Sequence, residues 1–126
     1  MGDRAVFGFK ADNDSETIYL YSHWGGANRA NDLSNAIDAA RPRWSDGAYA
    51  TRIALSRLVG DQWSQELGFG ISVGSFCEPD YNTMHVVNWA AKTVTLSPTR
   101  GNLNEPLQVW TFDAFTSVRH DDDVYA

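Results

Sequence analysis

The sequence predicts an α+β fold: a mostly antiparallel sheet, two main helices packed on one face, and a short C-terminal helix. Three observations carry this reading. Short runs of β-branched and aromatic residues, such as Ala5–Lys10 and Met84–Trp89, have strand character. Two longer segments, 29–40 and 48–59, repeat apolar residues at helical spacing. The strand-like runs also come in neighbouring pairs joined by short polar segments, which suits antiparallel hairpins.

Ala5–Lys10 reads as the first strand, Asp12-Asn13-Asp14-Ser15 as a turn, and Thr17–Ser22 as the second strand of a hairpin. The strand runs into His23 and Trp24, and Gly25 and Gly26 then stop it. At least one of these glycines is expected to take a positive φ. In the helix over 29–40, Leu33, Ala36, Ile37 and Ala40 fall at i, i+3, i+4 and i+7, a narrow apolar face of small residues that lets another element approach closely. Asn28 can cap its start and Pro42 stops it. Ser45 or Asp46 can cap the second helix, 48–59. Its inner face is Ala50, Ile53, Ala54 and Leu58, widened by Leu55 and Val59, with Arg52 and Arg57 reaching outward, and Gly60 fits its end. Asp61–Leu67 reads as a loop with a turn of helix, and Gly68–Val73 as a strand weakened by glycine. Met84–Trp89 and Thr93–Ser97 make a hairpin across Ala90-Ala91-Lys92. Leu107–Trp110 is the last strand, and Thr111 caps a short helix over 112–118. Residues 119–126 read as a frayed acidic tail. No repeat or linker divides the chain, which reads as one domain over 1–126.

The 126 residues are enough for one core, and the 43% hydrophobic content is that of a globular chain. A formal net charge of −6 argues against unspecific binding to nucleic acid or to an anionic membrane surface. The acids are scattered and do not imitate a line of phosphates. Cys77 is the single cysteine, so neither an internal disulfide nor a cysteine-based zinc site is available. No segment approaches the ~20 apolar residues of a membrane helix, and no signal-like run follows Met1. A cytosolic protein that uses no metal and no cofactor is expected.

His23 is the one catalytic suspect, as a general base with a pKa near neutrality. Neither a Gly-x-Ser-x-Gly elbow nor a local Ser/His/Asp order accompanies it. His23, His85 and His120 lack the spacing that puts two metal ligands on one helix face. Gly25-Gly26 before a helix start can cradle an anion on backbone amides, with Arg29 in the first turn, although the full phosphate-loop spacing is absent. The richest constellation is His23, Trp24, Arg29, Arg43, Trp44, Tyr49 and Arg52, around the starts of both helices. Arginine with aromatics suits nucleotide phosphates and bases, and equally a protein-binding hot spot. The structural alternative is that Trp24 and Trp44 simply cover the helix pair. Five Trp exceed what so modest a core needs, so at least one of Trp24, Trp44 and Trp63 is expected to be exposed, near Arg43 or Arg52.

Tyr21-x-His23-Trp24-Gly25-Gly26, Arg43-Trp44-x-Asp46-x-x-Tyr49-x-x-Arg52-Ile53 and Gly68-Phe69-Gly70-Ile71-Ser72 together resemble a group of small hypothetical proteins of bacteriophage and prophage genomes. The resemblance implies a phage origin and action in the cytoplasm of an infected bacterium. That family carries no assigned activity, so no functional residue is transferred from it. The expected function is that of a non-enzymatic accessory protein that binds a host protein, an anti-defence candidate, or that self-associates as a homodimer. The alternatives are a sponge for a small anionic ligand such as a signalling nucleotide, and a hydrolase using His23.

Overall fold

The computed structural model describes residues 2–121 and 125. The strands are β1 (Ala5–Lys10), β2 (Ile18–Ser22), β3 (Phe69–Val73), β4 (Thr83–Asn88), β5 (Thr93–Pro98) and β6 (Gln108–Thr111). The helices are α1 (Arg29–Ala39), α2 (Gly47–Val59) and α3 (Phe112–Thr116), with 3-10 turns at Gly26–Asn28 and Arg41–Arg43. The strands form one six-stranded sheet in the order β3-β2-β1-β4-β5-β6. Every neighbouring pair is antiparallel except β1 with β4, which run parallel with Phe7 opposite His85. The fold class is therefore the one the sequence predicts, with a parallel junction at the sheet's centre.

Side-chain alternation assigns the two faces. Ala5, Phe7 and Phe9 of β1, Leu20 of β2, Val87 of β4 and Val94 of β5 are buried in one core with the helices. The predicted face of α1 is the observed one: Leu33, Ala36 and Ile37 are fully buried. Helix α1 packs against α2, and its Ala30 and Ala36 are buried in the same core as Ala50 and Ala54 of α2. Trp89 sits at the bottom of the core, stacked on Phe9 and edge-on to Phe112, with its indole N–H donated to Thr51 Oγ1 at 2.9 Å. The donor is satisfied, so burying the large ring costs no unpaired polar group.

Local chemistry differs from expectation in four places. Asp46 caps α2, accepting from Tyr49 N at 3.4 Å, whereas Asn28 precedes α1 without a side-chain cap and donates to Asp32 Oδ1. Gly60 has the positive φ that only glycine takes easily, but at φ 65° and ψ −130° it lies outside the left-handed helical region. Gly25 has φ −95°, and Gly26 is not among the positive-φ residues, so conformational freedom is not why glycine stands there. Packing is: Gly26 is buried beneath Tyr81. Finally, the frayed tail expected over 119–126 is corrected at its two anchors. Asn31 on α1 holds the backbone of His120 on both sides, Nδ2 to the carbonyl and Oδ1 from the N–H, each at 2.8 Å. His120 and Tyr125 are buried, with Tyr125 in the core cluster. The rest of the Asp121-Asp122-Asp123 run lies outside the described residues from position 122 on.

Candidate functional site

The sequence constellation separates into two sets of contacts. The first is the corner after β2. The N-terminal segment straps across it: Asp3 N donates to His23 O at 2.7 Å, and Gly26 N donates to Asp3 O at 2.9 Å. Arg29 is buried, donates to Gly26 O at 2.8 Å, and lays its guanidinium 3.7 Å from the Tyr81 ring centre. Tyr81 in turn donates to the Asp3 carboxylate. Burial and that carboxylate push the Tyr81 phenol up to about 12. Arg4 grips Asp80 through both its backbone N–H and its guanidinium, and this holds the Asp80 carboxyl below the usual range. The Gly26 amide is thus already engaged, and Arg29 works inside the corner.

His23 is half-buried and edge-on to Trp24. Its Nδ1 lies 2.6 Å from the Tyr21 hydroxyl, and its Nε2 rests against Gly2. Trp24 itself is 60% exposed and leans over Gly68, the residue immediately before β3.

The second set follows the α1–α2 connection and the surface of α2. Trp44 is half-buried, donates to Ile37 O at 2.9 Å, packs on Phe112 and carries Arg41 over its ring, so it covers the helix pair. Arg43 and Tyr49 are exposed and stack on each other at 4.8 Å. Arg52 is one turn further along α2 and lines a cleft of about 420 Å³ with Phe9, Ile18, Leu55 and Trp63. Arg29 and Arg52 belong to different sets, and nothing places both on one anion.

Sequence reasoning named Trp63 only as a candidate for exposure, yet it joins several surface features. It is 52% exposed. It lines the Arg52 cleft and also a neighbouring one of about 180 Å³ with Leu20, Val59, Phe69 and Ile71. The second cleft opens beside β3, a strand at the sheet's edge. Within β3, Ile71 is 52% and Val73 61% exposed, and no residue of the strand is charged. Trp63 shares its cleft with Phe69 and Ile71 of this edge strand, and Trp24 stands over Gly68 at the strand's start.

His85 and His120 are structural. His85 is buried among the rings of Trp110, Phe115 and Tyr125, and His120 Nε2 donates to Phe115 O at 2.9 Å. Among the described residues no group of three or more His, Cys, Asp or Glu could hold a metal ion, and no helix is long and apolar enough to cross a membrane. Comparison with protein-family models, with curated proteins and with solved structures finds no match for this chain.

Proposed function

We propose that this is a non-enzymatic accessory protein that acts by binding a partner protein through the sheet edge at β3, with Trp24 and Trp63. The single observation behind the reading is Trp63 shared between two clefts at an uncharged, unpaired sheet edge. An edge strand offers a row of unpaired N–H and C=O groups, which proteins usually blunt with charge or proline. This one does neither, and it sets apolar side chains beside the open backbone. A partner strand gains affinity from the main-chain bonds and specificity from pockets for its alternate side chains. Tryptophan beside arginine, here Trp63 beside Arg52, is the pairing in which binding energy concentrates. If the phage resemblance holds, the partner is a host protein met in the infected cell. A second copy of this chain pairing through β3 would give the homodimer instead.

The test places a photo-crosslinking amino acid at Val73, with Arg57 on the exposed side of α2 as the control position. The expected outcome is one dominant crosslinked host protein from position 73 and none from 57. Trp63→Ala is expected to weaken that capture about 30-fold, the equivalent of 2 kcal/mol at a central anchor. Undiminished capture by a folded Trp63→Ala variant removes that edge as the binding surface. Crosslinks confined to copies of the chain replace the host partner with the homodimer.

A further inference from the structure

The helix-free face of the sheet carries a cleft of about 650 Å³, inside the size range of small-molecule sites. Its floor is made by alternate side chains of the central strands, among them Lys10, Tyr19, Asn88, Thr93, Thr95 and Ser97. Gly74, from the segment 74–82, bounds one side, and residues 101–104 and 106, from the segment 99–107, wall the other. Thr99 ties the two together, donating from N to Asn82 O and from Oγ1 to Tyr81 O, each at 2.9 Å, and Arg100 pairs with Glu78. The first segment is pinned down by Phe76 against Tyr19 and by Gly74 N on Thr17 O at 2.9 Å.

A sheet covered on one side commonly shows its other side to water, with charged side chains on it. This face differs in being walled and nearly uncharged. Among the described residues Lys10 is the one charged side chain lining the cleft, in a chain of net charge −6. Two of the polar groups, Asn88 and Ser97, are buried. Asn88 is also fixed, donating to Asn13 Oδ1 at 2.7 Å and accepting from Ala91 N at 3.0 Å. Lys10 Nζ spends one donor on Asn13 O at 3.3 Å and keeps two.

We propose that this cleft binds a short saccharide, neutral or bearing a single acidic group. Hydroxyls and amides each donate and accept, so they match a ligand that presents both functions many times over. They also lose little on leaving water compared with charges. Strand geometry spaces these groups about 4.8 Å across the sheet and about 6.8 Å along it, a shallow grid suited to ring hydroxyls that radiate in one plane. A phosphate-rich ligand would call for several cations, and a cationic one for a carboxylate; among the described residues the lining holds one lysine and no acid.

The experiment probes the full chain against an array of neutral and uronic-acid oligosaccharides with mononucleotides as controls, and titrates hits by amide NMR. The expected result is a saccharide that shifts the amides of Thr95, Ser97 and Asn102. Thr95→Val, which keeps the side chain's shape, should weaken binding about tenfold, the value of one hydrogen bond. Asn102→Ala, on an exposed loop, should do the same without touching the sheet. Lys10→Met should matter only for acidic sugars. The proposal is overturned if no saccharide binds, if the shifts map outside the cleft, if mononucleotides bind there in preference, or if both Thr95→Val and Asn102→Ala leave affinity unchanged.

Discussion

Gly26→Ala is expected to lower the stability of the fold by about 3 kcal/mol, at the upper end of what overpacking a well-filled site costs. A β-carbon at Gly26 would stand 2.5 Å from Tyr81 Cε2 and 2.6 Å from the Tyr81 hydroxyl oxygen, and it would also collide with the Asp3 carboxylate. Tyr81 cannot move aside cheaply. Its hydroxyl is bonded to Asp3, and its ring lies under the buried Arg29 guanidinium. Shifting the ring would also take its aromatic face away from the buried Arg29 guanidinium and lose that cation–π contact. Gly70→Ala is the matched control. Nothing lies within 4 Å of a β-carbon there and φ is not positive, so stability should stay within about 0.5 kcal/mol of wild type. Denaturant unfolding of the two variants makes the comparison. Equal stabilities would mean that the corner yields without strain and that glycine at 26 is incidental.

The second large effect is a loss of stability in acid that comes from His85. The side chain is almost wholly buried, and its pKa is pushed down to about 3, mainly by loss of solvent and further by the positive field of Arg29 and by His120. The unfolded chain binds a proton below about pH 6.5, whereas the folded chain refuses it until about pH 3. Stability from this group is therefore fully present above pH 6.5. It falls by about 1.4 kcal/mol for each pH unit below that, reaching on the order of 4 kcal/mol near pH 3. Other groups titrate in the same window, so the informative quantity is the difference between wild type and His85→Leu. That variant has no proton to take up and removes an imidazole Nε2 that finds no hydrogen-bond partner among the described residues. Leucine loses ring packing against Trp110 and Phe115 at neutral pH, so wild type should be the more stable protein at pH 7. Its advantage should shrink or reverse by pH 4. Parallel pH profiles for the two proteins would show that His85 does not carry the acid sensitivity.

The two predictions share a residue. Arg29 lies under the Gly26 corner and also acts on His85, so the corner and the aromatic cluster are coupled through one buried guanidinium. A double variant at 26 and 85 is accordingly not expected to be additive.

The sequence alone determined the elements whose signal is local. Backbone periodicity is a property of neighbouring residues, so the apolar spacing of α1, the Asp46 and Thr111 caps, and the hairpins β1–β2 and β4–β5 are where the residues predict them. It also predicted that at least one of Trp24, Trp44 and Trp63 is exposed. Trp24 and Trp63 are, while packing on Phe112 decided that Trp44 is the one covered. Tertiary structure decided whatever depends on which distant segments meet. The parallel pairing of β1 with β4 joins positions about eighty apart and has no local signature. Gly26 looked like a turn residue, but its purpose is contact with Tyr81, far along the chain. The acidic end looked like solvated charge, yet the Asn31 amide matches the backbone at His120, and an aromatic pocket receives Tyr125. The arginines and aromatics that cluster in sequence were divided between a buried corner and a helix surface, since a helix turns neighbouring positions to different sides. The polar cleft exists only because the loop 101–106 and Gly74 border side chains of four different strands, a meeting set by chain topology and by no single stretch of residues.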